Sequence, residues 1–303
     1  MKKILVVGSL NMDFVIGVQK IPVPGETILA QEMRLVPGGK GANQAYAAAK
    51  LGGQVAMIGA VGDDPFGRQL TSNLAEVGVD VSGIETLPGC PTGNAMITVE
   101  EQGENAIIVV PGANAHLTTE MIDKHIRLVD VCDIIIMQLE IPLDVVSYVK
   151  KLGMERGKQI ILDPAPAKTG LPDSFFEGFD IVKPNETELQ TLLGKTLKTP
   201  QALQEGAQCL LQKGIGTVLV TLGGDGAWMV TKDSVKAFHA CKVTPVDTTA
   251  AGDSFTAAFA VACSRGQSYE EAIAFGNRVS SIVVTRPGAQ TSIPTMEEVA
   301  GMQ

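Results

Sequence analysis

The feature that most constrains the fold is a series of short β-rich runs that are apolar on both faces. They are KILVVGS (3–9), VAMIGAVG (55–62), DIIIMQ (133–138), QIILDPA (159–165), DIVKPN (180–185) and TVLVTLG (217–223). A strand with one wet face alternates polar and apolar residues, whereas a strand covered on both faces does not. Helix-like stretches lie between them at 40–51, 67–77, 145–156 and 201–213. This strand–helix alternation predicts a doubly wound α/β fold, a mainly parallel sheet flanked by helices.

Two segments break the alternation. MDFVIGV (12–18) sets Met12, Phe14, Ile16 and Val18 against Asp13, Val15 and Gly17, while GNAMITVE and NAIIVV (93–110) straddle EQGE, which reads as a hairpin turn. Both read as antiparallel strands inserted between the main-sheet units. They predict a small β-sheet lid, discontinuous in sequence, from about 11–37 and 90–112. The chain carries no Pro/Ser-rich linker, low-complexity tract or internal repeat, so one domain spanning 1–303 is expected.

Composition narrows the function classes. The net charge of −9 opposes binding to phosphate backbones and anionic lipids, so neither nucleic acid nor membrane is expected as a partner. The five cysteines (90, 132, 209, 241, 263) and three histidines (116, 125, 239) show no metal-site spacing, which disfavours zinc. No uncharged apolar stretch approaches the ~18 residues that a bilayer span needs. The first apolar run ends at Gly8 and reads as a strand, not a leader. A soluble, cytoplasmic protein is expected.

Five constellations could carry chemistry, and each also has a plain structural reading. In VPGGKGANQA (36–45), Gly38, Gly39 and Gly41 would let a ligand approach the backbone, with Lys40 as a point charge and Asn43 as donor and acceptor. The spacing is not that of a Walker P-loop, and the stretch could simply be a glycine turn before a helix. GSLNMD (8–13) puts Asn11 and Asp13 at the carboxyl end of the first strand, where open α/β sheets bind ligands, or in an Asx turn. KPNETE (183–188) starts a helix with Asn185 and Glu188, either a capping box or a carboxylate that holds a metal through water. TLGGDGA (221–227) offers Thr221, Gly223, Gly224 and Gly226 as a phosphate-cradling turn or a plain β-turn. DTTAAGDSF (247–255) leaves the Ala250, Ala251 and Gly252 amides uncovered at a helix start, with Asp253 in the first turn as a cap or a general base. The conjunction favours the functional readings, because most of the five fall at strand carboxyl ends.

These motifs, with PGETI, GDDPFG, PGANA, MQLE, DPAPA and TRPGAQTSIP, resemble the ribokinase-like family of carbohydrate kinases over essentially the whole chain. GGKGAN together with AAGDSF carries the family resemblance, and GGKGANQA with GAQTSIP points to its ribose-phosphorylating branch. The resemblance implies ATP-dependent phosphorylation of the 5-hydroxyl of D-ribose. Asp253 would be the base, and the amides of Ala250–Asp253 the anion hole. Asn11, Asp13, Gly39, Lys40, Gly41, Asn43, Glu140 and Asp253 would hold the sugar, and Asn185, Thr221, Gly223, Gly224, Gly226, Gly252 and Asn277 the nucleotide. Glu188 would organise Mg²⁺ through water. A monovalent cation, K⁺ by this resemblance, would sit on Asp247, Thr249, Val283, Arg286, Gly288 and Ser292. The lid implies a homodimer. Two residues depart from the family pattern: Asn277 stands where some relatives have histidine, and Asp163 where Asn is common. The competing readings are a kinase for 2-deoxyribose, fructose or a nucleoside, and a non-catalytic sugar or nucleotide sensor.

Overall fold

The computed structural model describes residues 1–100 and 105–301, so the turn expected at EQGE (101–104) lies outside the described residues. The strands are β1 (Lys3–Val7), β2 (Asn11–Val18), β3 (Glu32–Gly38), β4 (Gln54–Gly62), β5 (Asp80–Leu87), β6 (Gly93–Glu100), β7 (Asn105–Val110), β8 (Ile134–Met137), β9 (Gln159–Leu162), β10 (Ile181–Val182), β11 (Thr217–Thr221), β12 (Ala227–Val230) and β13 (Val235–Phe238). The main sheet runs β13-β12-β11-β10-β9-β8-β1-β4-β5. All its pairings are parallel except β11–β12 and β12–β13, which close one edge as a meander.

Both faces of this sheet are covered, which explains the unbroken apolar runs. Along β1, Ile4 and Val6 enter one core while Leu5 and Val7 enter the other. In β8, Ile134 and Ile136 part from Ile135 and Met137 in the same way. Each such side chain taken fully out of water contributes about 1.5–3 kcal/mol. The first core holds the helices Lys40–Lys50, Ala251–Ser264 and Tyr269–Val283, and the second holds Leu143–Glu155 and Pro200–Leu211. Lys40–Lys50 and Ala251–Ser264 bury small faces: Ala42, Ala45, Ala47 and Ala48 on the first, Ala257, Ala258, Ala260 and Ala262 on the second. Small side chains allow close approach of the two backbones, so their N-termini meet over the carboxyl ends of the strands.

The second sheet, β3-β2-β6-β7, is the lid. β2–β3 and β6–β7 are antiparallel, but β2–β6 is parallel, because the chain leaves β2, passes through β4 and β5, and returns by a crossover. Phe14 anchors the lid by an edge-on contact with Phe66 of the helix Pro65–Glu76, ring centroids 5.5 Å apart. No described helix is long and apolar enough to cross a membrane.

Candidate active site

The site begins where β1 gives way to β2. Asn114 clamps this crossing: its Oδ1 accepts from the Leu10 amide (2.9 Å), and its Nδ2 donates to the Leu10 carbonyl (3.0 Å) and to Asn11 Oδ1 (2.8 Å). Opposite lies the turn that starts the helix Lys40–Lys50. A Cβ on Gly39, whose φ is +87°, would stand 2.7 Å from the Asn11 amide, and one on Gly38 would strike the Asp13 carboxylate. These glycines therefore admit the chain's own β2 strand, where the sequence suggested a ligand. Glu140, just beyond β8, ties the two together: its Oε2 accepts from Ser9 Oγ (2.5 Å) and from the Lys40 amide (3.0 Å), and the Gly41 amide reaches Ser9 Oγ (3.3 Å).

The helix Ala251–Ser264 starts with Ala250 in the left-handed region (φ 59°), and no side chain caps it. The Ala251 amide, which the sequence suggested would be uncovered, instead donates back to the Thr248 carbonyl (3.2 Å), because the left-handed Ala250 closes a tight turn there. Gly252 and Asp253 sit in the first turn, where a helix has no internal acceptor for its amides. The buried Asp253 carboxylate is fixed from both sides. Oδ2 accepts from Asn43 Nδ2 and Oδ1 from Gln44 Nε2, each at 3.0 Å.

Charge converges here. Burial opposes the positive charge of Lys40, but Asp253, Asp163, Glu140 and Glu188 outweigh it and raise its pKa. Asp13 is pushed up to about 7, first by burial, then by Glu140 and Asp253, with Lys40 acting against them. Among the described residues its buried Oδ1 has no hydrogen-bond partner, so it could accept from a ligand hydroxyl.

Sequence reasoning missed a second buried layer. Gln44 Nε2 also donates to Asp163 Oδ2 (2.8 Å), and Gln138 Nε2 donates to Gln44 Oε1 (2.6 Å). Lys183 Nζ reaches Asp163 Oδ2 (3.0 Å) and the Gly252 carbonyl (3.3 Å). Gln44 and Lys183 lie inside the quoted motifs GGKGANQA and KPNETE, so a signal was present, but no local pattern shows which partner each would meet.

On the nucleotide side, Asn185 and Glu188 form a reciprocal capping box on the helix Glu186–Leu193, with bonds of 2.7 and 2.8 Å. Among the described residues only Oε2 of Glu188 accepts a hydrogen bond, so Oε1 is open to a further donor such as water. Asn185 lies beside Thr221 at the end of β11. Gly223 and Gly224 are exposed and face open space, whereas the site of a Gly226 side chain is filled by the Phe238 carbonyl. The buried Asn277 spends its amide nitrogen on the carbonyls of Phe238 (3.0 Å) and His239 (3.3 Å), which fixes the orientation of its side-chain amide.

The segments at 246–249 and 284–288 come together. Asp247 Oδ1 accepts from the Thr249 amide (2.9 Å) and hydroxyl (2.6 Å), and Oδ2 from the Gly288 amide (2.8 Å). Burial works to raise the Asp247 pKa, but these bonds overcome it and hold the carboxyl below its usual range. The Val284 carbonyl accepts from the amides of Val246 and Asp247. Of the remaining candidates, the Val283 carbonyl accepts from the Arg286 amide, the Arg286 guanidinium pairs with Glu298 (2.8 Å), and Ser292 Oγ donates to the Ala289 carbonyl (2.6 Å). Asp13, Asp247, Thr249 and Gly288 line one cavity of about 530 Å³ beneath the lid. Asn11, Asn114 and Glu140 line another of about 360 Å³.

The chain matches the pfkB family carbohydrate kinase model over residues 1–296. It is 39% identical over 297 residues to a ribokinase of Haemophilus influenzae, covering 98% of this chain and 97% of that one. It is 36% identical over 295 residues to a deoxyribokinase of Salmonella typhi, covering 97% and 96%. The solved structure of Arabidopsis thaliana ribokinase complexed with ribose and ATP superposes with a TM-score of 0.92 at 33% identity, covering 99% of this chain and 97% of that one. The chain belongs to the pfkB family of carbohydrate kinases.

Proposed function

We propose that this protein is a ribokinase, which transfers the γ-phosphoryl group of ATP to the 5-hydroxyl of D-ribose. The observation that carries this reading is Asp253, a buried carboxylate with both oxygens oriented, in the first turn of an uncapped helix and electrostatically coupled to Lys40 and Asp13. The Haemophilus and Arabidopsis relatives are ribokinases, and the second was solved with ribose and ATP.

In this reading Asn11, Asp13, Gly39, Lys40, Gly41, Asn43 and Glu140 hold the sugar. Asp253 accepts the hydroxyl proton as the sugar oxygen bonds to phosphorus and the bond to the ADP oxygen breaks. Charge building on the phosphoryl oxygens meets the Gly252 and Asp253 amides, with Ala250 and Ala251 shaping the turn, and the Lys40 ammonium. One such donor contributes about 3–4 kcal/mol to a transition state. Asn185, Thr221, Gly223, Gly224, Gly226, Gly252 and Asn277 hold the nucleotide. Glu188 would hold Mg²⁺ through water, and the ion would neutralise charge on the phosphates. Asp247, Thr249, Val283, Arg286, Gly288 and Ser292 would hold K⁺. The chain acts as one domain over 1–303 with its lid from about 11–37 and 90–112, dimerises through the lid, and works in the cytoplasm.

The test is a panel of D-ribose, 2-deoxyribose, fructose and adenosine with ATP and Mg²⁺, read as ADP release. D-ribose should give the highest kcat/KM. The similarity to a deoxyribokinase makes 2-deoxyribose the sharpest competitor, and a higher value for it would move the acceptor within the family. A higher value for fructose or adenosine would overturn the assignment.

A further inference from the structure

Behind Asn43 the hydrogen bonds continue. Gln290 Nε2 donates to Asn43 Oδ1 (3.1 Å), and Asn73 Nδ2 donates to Gln290 Oε1 (2.5 Å). Three amides thus stand head to tail and end on the Asp253 carboxylate. Their direction is imposed from that end. The Asp253 Oδ2 that faces Asn43 acts as an acceptor, so Asn43 must present its NH₂ and turn its oxygen to Gln290. Gln290 must then present its own NH₂ and turn its oxygen to Asn73. Asn43 and Gln290 are both buried, so a reversed amide would find no water to satisfy it. The chain joins four elements: the helix Pro65–Glu76, the turn Gln290–Ser292, the helix Lys40–Lys50 and the helix Ala251–Ser264. Aligned amides also polarise one another in the same sense.

We propose that Gln290 and Asn73 are positioning residues, which lock the amide of Asn43 in the orientation that donates to Asp253 and so hold that carboxylate in its working pose. The proposal rests on the reading of Asp253 as the base. Neither residue touches the reacting atoms. Gln290 sits in GAQTSIP, so that motif links the 284–292 segment to the base as well as to the Asp247 loop.

The test is kinetics of purified Gln290→Glu, Gln290→Met and Asn73→Ala on D-ribose, with Asp253→Asn and the double variant Gln290→Met/Asp253→Asn as controls. Glu at 290 presents only acceptors to Asn43 Oδ1 and drives the amide to reverse, while Met merely removes the donor. The kcat of Gln290→Glu should fall about 10–100-fold, the usual scale for misplacing a catalytic group. Gln290→Met and Asn73→Ala should lose less, and KM for ATP should stay level in all three. In the Asp253→Asn background the Gln290→Met change should cost nothing further, because groups acting as a unit are non-additive. A folded Gln290→Glu within about twofold of wild type, or a Gln290→Met loss that persists in full without Asp253, would overturn the relay. If Gln290→Glu does not fold, Gln290→Met decides by the same two criteria. An active Asp253→Asn would remove the base and the relay together, whereas an inactive Asp253→Asn beside an active Gln290→Glu would remove the relay alone.

Discussion

Lys183 and Asp163 form an ion pair, Nζ to Oδ2 at 3.0 Å, in which both side chains are all but sealed from solvent (5% and 3% exposed). The same ammonium reaches the Gly252 carbonyl, so the pair braces the loop that would cradle the phosphoryl group. Asp163, one of the two residues that depart from the pattern of the resemblance, faces a cation here. Removing one partner of a buried pair leaves an uncompensated charge. Lys183→Met should therefore destabilise the protein by about 3–5 kcal/mol, while Lys183→Met with Asp163→Asn should recover most of the loss. Urea midpoints at neutral pH check this, and additive losses in the double variant would show that the two charges are not coupled.

Asp13 gives a pH prediction with two opposite faces. Burial, reinforced by Glu140 and Asp253, lifts its pKa from 3.8 to about 7. Between those values the folded state holds more protons than the unfolded chain, so the contribution of Asp13 to stability is fully present below about pH 4 and is lost as pH rises through about 7. Asp13→Asn should raise the Tm of the ligand-free protein at about pH 8.5 and change it little at about pH 4. Binding responds in reverse, because the ionised carboxylate accepts from sugar hydroxyls. The kcat/KM for ribose should climb with pH through about 7, and Asp13→Asn should lower it and flatten that climb. An Asn variant that keeps the wild-type profile would take Asp13 out of the sugar site.

How far the sequence reached depended on the range over which each feature acts. β1 and β8 were legible because covering both faces of a strand makes it continuously apolar, and this is a local property. β5 and β13 were not, since they are sheet edges and carry Asp80, Ser82 and Thr86, or Lys236, toward water. β3 escaped because EMRLVPG is mostly exposed and ends in Pro-Gly. At the site, Asn43, Asp253 and Asp247 stood out through their motifs. Gln44 with Asp163, and Lys183 with Gly252, meet across 119 and 69 positions, and nothing local encodes such a meeting. The glycines of GGKG stood out as a place of close backbone approach, and what the structure brings against Gly38 and Gly39 is the start of β2, which lies far from them in the local pattern.

The lid presents a face that should bind a second copy. The register sets Leu35, Phe14, Met96 and Ile108 in one row, with Met33 beside them, on the side opposite Asp13. Phe14 turns onto Phe66, but Met33 (61% exposed), Leu35 (44%), Met96 (37%) and Ile108 (67%) stay open. Adjoining apolar side chains of this kind mark an association surface. Sedimentation should give twice the 31.8 kDa chain mass. Ile108→Glu, at a site exposed enough to leave the fold intact, should shift the protein toward monomer without lowering its Tm by more than a few degrees. A wild-type monomer at working concentration would refute the interface.

A monovalent cation should activate the enzyme through the loop before Asp253. Asp247 receives three donors, from Thr249 and Gly288, and the Val284 carbonyl receives two from the opposite segment, so 246–249 and 284–288 are already drawn together. The ligand set implied by the resemblance, one carboxylate with backbone carbonyls, suits a large and weakly hydrated cation such as K⁺. Such an ion need not touch substrate. Thr249 leads directly into Ala250, whose left-handed backbone (φ 59°) turns the chain into the helix of Asp253. Holding Asp247 and Thr249 therefore holds the turn on which the Gly252 and Asp253 amides depend, and the gain is preorganisation of donors aimed at developing charge. The measurement is ribose kinase activity at constant ionic strength and saturating Mg-ATP, with choline chloride replaced stepwise by KCl. Turnover should rise and saturate with K⁺, and Asp247→Ala should abolish the response while leaving residual activity. A flat profile in thoroughly desalted protein would confine Asp247, Thr249 and Gly288 to bracing the loop by the hydrogen bonds they already make.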